Sequence, residues 1–245
     1  MQRRLKIEKW PTMKRGKSEK KEGKKPQDLA DLEPEDGAFS APEDVVKRAG
    51  RNPNHPKRGS HISVDPIRDL KDIESIKRML SSKPRDLLLF TAGINNGLRT
   101  GDLLKLKVGD VRHLKEGETL NIIESKTKKQ NFFMVNKPIF KALKNYIQKV
   151  NPDEGDYLFP SARTGEPISI PAVNLMIKKW TKAINLKGNF GTHSLRKTFG
   201  YVQRVKYGVG IEVLMKRFNH SSPAVTLRYL GVNDEEVNGI LLNEI

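Results

Sequence analysis

"NFGTHSLRKTFG" at 189–200 and "FNHSSPAVTLRYLG" at 218–231 place two of the chain's five histidines and one of its five tyrosines within a short span. In the first stretch Thr192 reads as an N-cap ahead of a helix, with His193 and Arg196 three residues apart and so on one face of it. In the second, Ser222 and Pro223 open a helix that carries Tyr229 in its last turn and stops at Gly231. One helix thus presents an imidazole and a guanidinium, and a second a phenol. Taken singly these residues are ordinary. A His/Arg pair at that spacing is more often incidental than functional, His220 suits a core histidine at a helix end, and Tyr229 suits a packed aromatic.

Working outward, apolar spacing predicts helices at about 138–150, 171–185, 193–207, 210–218 and 223–230. Upstream, "SVDPIRDLKDIESIKRMLSS" at 63–82 has Ile67, Leu70, Ile73, Ile76 and Leu80 in helical register, with Asp65 as N-cap and Pro66 at the first helical position. "PRDLLLFTAGINNG" reads as a buried helix closing on Gly97, and "RTGDLLKLKVGDV" as a short helix entered from a threonine cap. The period then changes: "TLNIIES" and "NFFMVN" are β-rich runs flanking "KTKKQ", a hairpin with a cationic tip. A last amphipathic piece, "NDEEVNGILLNEI", aligns Val237, Ile240 and Leu241 on one face, for packing on its own domain or on a neighbouring protomer. There is no internal repeat. The predicted class is α+β, mostly α, with one small antiparallel sheet.

The formal charge of +17 and a pI near 9.9 favour a polyanionic partner, nucleic acid above all. Residues 1–25 hold 11 Lys and Arg against 3 Asp and Glu, and residues 26–50 hold 2 against 7. Such blocks cannot bury enough apolar area to offset ordering entropy, so 1–62 reads as a basic, low-complexity tail, largely disordered, ahead of a domain at 63–245. From residue 61 onward there are still 30 basic against 19 acidic side chains, so the domain itself is cationic. The absence of cysteine excludes disulfide frameworks and thiolate metal sites, and no apolar run is long enough to span a bilayer. A soluble, cytoplasmic protein is expected. No cluster of Asp, Glu or His has metal-ligand spacing and there is no phosphate-binding glycine loop, so neither metal, other cofactor nor ATP is expected.

Order and spacing make the site. Arg99 in "GLRTGDLLKL" precedes Lys126 in the hairpin tip; then come His193 and Arg196, His220 at 27 residues beyond His193, and Tyr229 at 9 beyond His220. The texts "GLRTGDLLKL", "HSLRKTF" and "NHSSPAVTLRYLG" resemble the three signature boxes of the tyrosine recombinase (phage integrase) family, its Xer-type members included, over roughly residues 65 to 240.

The resemblance implies a catalytic domain of that fold that cuts and rejoins double-stranded DNA through a 3′-phosphotyrosyl link, assembled as a tetramer on its substrate. It implies Tyr229 as nucleophile and Lys126 as general acid on the hairpin, with Lys128 and Lys129 near enough to leave the register open. Arg99 and Arg196 would clamp the phosphate, since planar guanidinium forks match its charged oxygens. A phenol with an ordinary pKa of about 10 needs a proton acceptor or a positioning donor, for which His193 is the candidate. His220 would support the nucleophile. Asp102, where the family usually has Glu, would orient an arginine. Most members also carry an N-terminal helical clamp domain; here the clamp is expected to be missing or much reduced, with phosphate contacts supplying affinity. Three rival readings share the cationic composition: a topoisomerase IB-like strand passer, a catalytically silent DNA-binding protein of the same fold, and an RNA-binding factor.

Overall fold

The computed structural model describes residues 63–231, and the predicted tail at 1–62 and amphipathic piece at 233–245 lie outside them. In chain order the elements are α1 (Leu70–Met79), α2 (Pro84–Asn96), α3 (Thr100–Leu103), α4 (Val108–Val111), β1 (Thr119–Ile123), β2 (Gln130–Met134), α5 (Lys137–Val150), α6 (Ile170–Ala183), α7 (Thr192–Tyr207), α8 (Ile211–Phe218) and α9 (Pro223–Leu230). The architecture is mostly helical with one small antiparallel sheet, as the periodicity predicts.

The apolar run of α2 explains its position. Leu88, Leu89, Phe90 and Ala92 are buried all round it, so it lies in the middle of the helices with α1, α5 and α7 packed on it. Gly93 lets α7 come close, because a Cβ there would sit 2.6 Å from Leu195 Cδ1. Phe90 meets Trp180 of α6 edge-on at 6.0 Å. Such a pair contributes roughly 0.5–1.5 kcal/mol beyond its burial.

The sheet pairs Thr119 with Met134 through Ile123 with Gln130. Phe133 faces the core, while Ile123, Phe132 and Met134 are exposed on the other side. The buried Asn96 side chain fixes the edge: its Nδ2 donates to Met134 O at 3.1 Å and its Oδ1 accepts from Met134 N at 2.8 Å. An amide at the end of α2 thereby acts as a short strand against β2.

Three predicted helix starts shift. α1 begins at Leu70 with Asp69 as N-cap, its side chain accepting from Lys71 N at 2.8 Å, and not at Pro66. The segment before it is extended because tertiary partners claim it: Asp65 Oδ2 accepts from Asn189 N at 2.8 Å, and Ile67 N donates to Thr198 Oγ1 at 2.8 Å. The region 99–111 forms two short helices, with Arg99 and not a threonine as the first N-cap. α7 is capped by Gly191 with Thr192 already helical, and Ser194 Oγ reaches back to accept from Gly191 N at 3.0 Å. Ser222 does cap α9, accepting from Val225 N at 3.4 Å.

The helices α8 and α9 rest on a small separate core of Leu214, Phe218 and Leu230, with Phe199, Val209, Ile211 and Tyr229 around it. Gly200 on α7 is where they touch down: a Cβ there would lie 2.5 Å from Leu230 Cδ2 and 2.7 Å from Phe218 Cζ.

Candidate active site

The side chains singled out by spacing come from four places in the chain, and local structure brings them together. α2 ends at Gly97, whose φ of 60° lets the backbone reverse so that Arg99 stands at the start of α3. Thr100 Oγ1 donates to Thr192 O at 3.1 Å, which joins the start of α3 to the start of α7. Arg99, Asp102, Lys126 and His193 consequently line one cleft of about 380 Å³. Lys126 is an exposed residue of its rim, whereas Lys128 and Lys129 do not line it. Lys128 instead holds a positive φ of 57° in the turn, its N donating to Glu124 O at 2.9 Å, and Glu124 N donates to Lys129 O at 3.0 Å.

The centre of the cluster is a residue that spacing does not single out. Glu124, fully buried at the end of β1, lies with Oε2 2.6 Å from Arg99 Nη1 and Oε1 3.9 Å from Arg196 Nη1. Asn131 Nδ2 donates to its Oε1 at 2.9 Å, and the Thr127 hydroxyl donates to its Oε2. Burial alone would raise its pKa, but the hydrogen bonds of Thr127, Asn131 and Arg99, with the Arg99 charge, lower it to about 2. Arg196 is 2% exposed and its Nη2 donates to Phe218 O at 2.7 Å. Its Nη1 is buried without a hydrogen-bond acceptor.

Tyr229, half-buried in the last turn of α9, puts its hydroxyl 3.4 Å from His193 Nδ1. Burial raises the phenol's pKa, with Arg196 and Arg99 pulling partly the other way. His193 is pushed below its ordinary value, first by desolvation of the ring and then by Arg196, Arg99, Lys126 and Lys197. At neutral pH the pair is therefore a neutral phenol facing a neutral imidazole, the protonation states a proton transfer from oxygen to nitrogen requires. The His220 ring packs edge-on to Tyr229 at 5.1 Å, and its Nδ1 lies 3.1 Å from Thr226 Oγ1. Desolvation, followed by the Arg196 and Arg99 charges, lowers its pKa to about 4.

Asp102 differs from expectation. Its Oδ1 accepts from Ser125 N at 2.9 Å and from Ser125 Oγ at 2.6 Å, so it holds the residue before Lys126, and the carboxylate against Arg99 is that of Glu124. One methylene shorter than glutamate, Asp102 bonds across to the hairpin. Arg217 is a second residue the spacing leaves unnoticed: Nε donates to Asn96 O at 2.9 Å, Nη1 to Asn131 Oδ1 at 2.7 Å and Nη2 to Phe132 O at 3.0 Å. It thereby ties α8 to the hairpin and to the end of α2. A lone carboxylate closing a β-rich run was the sequence signal for Glu124, but its partners appear only after folding.

Comparison with known proteins places the chain in a family. The model of the Phage integrase family matches residues 68–236. A protein of Bacillus subtilis (strain 168) described as "Probable integrase/recombinase YoeC" is 40% identical over 180 residues, covering 71% of this chain and 93% of that one. The crystal structure of XerA recombinase superposes with a TM-score of 0.62 at 24% identity, over 77% of this chain and 68% of that one. XerH site-specific recombinase bound to palindromic difH substrate gives 0.61 at 18% identity, over 74% and 53%. Among the described residues, the helical layout with one hairpin is the fold of these recombinases, and the chain belongs to the phage integrase family of tyrosine recombinases.

Proposed function

We propose that Tyr229 is the nucleophile with which this site-specific recombinase cuts and rejoins double-stranded DNA. The phenolic oxygen forms a bond to a backbone phosphorus as its proton passes to His193, and the bond from phosphorus to the 5′-oxygen breaks as Lys126 supplies that oxygen with a proton. The products are a 3′-phosphotyrosyl link and a free 5′-hydroxyl, and the reverse step rejoins a strand. Arg99 and Arg196 bind the phosphate's charged oxygens as charge builds on them in the transition state, and His220 holds the Tyr229 ring from the side. Because the phosphotyrosyl bond conserves the energy of the broken one and guanidinium groups meet the charge, the reaction needs neither metal nor ATP. The observation that carries this reading is the 3.4 Å approach of the Tyr229 hydroxyl to His193 Nδ1 beside two arginines, Arg196 buried and Arg99 open to the cleft.

The catalytic domain in this reading is 63–245, preceded by a cationic tail at 1–62 that adds phosphate contacts, and the protein works in the cytoplasm as a tetramer on its DNA. The likeness to XerH, whose structure holds its difH substrate, supports the choice of partner. A nicked suicide duplex tests the assignment. Wild type is expected to give a denaturation-resistant adduct in the presence of a metal chelator and without ATP, and Tyr229→Phe none. An adduct that survives in Tyr229→Phe means another nucleophile.

A further inference from the structure

Two guanidinium groups that converge on one phosphate repel each other beforehand, and here the charge of Arg99 is among the causes that lower the pKa of Arg196, after burial. Something must hold them together in the absence of DNA. Asp102, the nearest carboxylate in sequence to Arg99, bonds to Ser125. Glu124 pairs closely with Arg99 and lies 3.9 Å from Arg196, and its own place is fixed independently by Asn131, Thr127 and the backbone pairs across the hairpin turn.

We propose that Glu124 is a positioning residue that aims Arg99 and Arg196 at the scissile phosphate; this rests on the reading of Tyr229 as nucleophile. The carboxylate sits behind the arginines, fully buried, so it does not compete for the phosphate's place in the cleft, where Arg99 remains partly exposed. Its charge balances one guanidinium before substrate arrives, and its two oxygens, one toward each arginine, set the separation of the forks. The hairpin turn that carries Lys126 is closed by the Lys128 N to Glu124 O and Glu124 N to Lys129 O hydrogen bonds. A side-chain substitution keeps both of these, and with Gln at 124 the amide oxygen can still accept from the Thr127 hydroxyl in that turn. Glu124 therefore acts on the phosphate clamp and leaves the proton donor where it is.

Three suicide duplexes separate these roles: one with the ordinary scissile phosphate, one with a neutral methylphosphonate there, and one with sulfur as the 5′-bridging atom, whose departure needs no proton. With the ordinary phosphate, Glu124→Gln is expected to slow adduct formation by about 10²-fold, the scale of a displaced electrostatic donor. On the methylphosphonate, neutral before attack and with one non-bridging oxygen left to take up charge, the demand on the paired arginines is reduced, and the ratio of wild type to Glu124→Gln is expected to fall to within about threefold, under one kcal/mol of barrier. On the sulfur duplex the full ratio is expected to persist. A ratio unchanged on the methylphosphonate, or a rate restored by sulfur, overturns the proposal. Should Glu124→Gln fail to fold, as its thermal melt would reveal, Glu124→Asp is read on the same duplexes, with a smaller loss that again shrinks on the methylphosphonate. The underlying reading fails separately, if wild type gives no adduct on any duplex or Tyr229→Phe keeps it.

Discussion

At the residue scale, the lowered pKa of His193 and the raised pKa of Tyr229 set the pH response. If neutral His193 accepts the phenolic proton, cleavage falls in acid only as pH drops through a value below the ordinary 6.5. Single-turnover adduct formation is expected to stay level through the usual imidazole range, and His193→Gln to remove the acid limb while lowering the plateau by about 10²-fold or more. An acid limb centred at or above 6.5 would contradict this. Stability has its own window. His220 takes its proton near 6.5 when unfolded and only near 4 when folded, so the unfolded chain binds more protons between these values. The melting temperature is expected to decline as pH falls from 6.5 to 4, and His220→Gln to lose that part of the slope. Tyr229, His193 and Arg196 were legible through the order and spacing of the stretches that carry them, although the cap read at Thr192 is in fact Gly191. Glu124 was not, since its partners lie 25 residues upstream and 72 downstream and only folding brings them together.

Among elements, the contact of α7 with α8 and α9 decides where the phenol stands. Gly200→Ala pushes a methyl into Leu230 and Phe218, in a three-residue core with little room to adjust. It is expected to cost about 1–3 kcal/mol in urea unfolding, and to slow adduct formation by about 10²-fold because α9 carries Tyr229. Unaltered values of both would mean that the helices do not meet there. The helices and the hairpin were readable from apolar period and turn residues. The start of α1 was not, because Asp65 looks like a cap locally yet its carboxylate serves Asn189 across the fold. Nor does the pattern reveal that Asn96 and Arg217 fasten the hairpin, since Asn96 wholly and Arg217 mostly do so by bonding to backbone atoms that any residue could supply.

For the whole molecule, charge is the governing quantity. With 46 Lys and Arg against 29 Asp and Glu, DNA affinity is expected to fall steeply with salt, by about 10³-fold or more between roughly 50 and 200 mM if six or more phosphates are neutralised. Removing residues 1–62 is expected to flatten that slope, as measured by fluorescence anisotropy, while leaving adduct formation at saturating DNA intact. An unchanged slope would place the phosphate contacts in the domain alone. One hydrogen bond has a mechanical meaning at this scale: Arg68 Nη2 donates to Gly231 O at 2.9 Å, two residues past Tyr229. The chain leading into the domain is thus hitched to the backbone that leads out of it. Tension on the leading segment is met by Ile67, buried and bonded to Thr198 on α7, and through the Arg68 guanidinium it also reaches the tyrosine's own turn, so a pull far from the cleft would be shared between the large core and the nucleophile's helix.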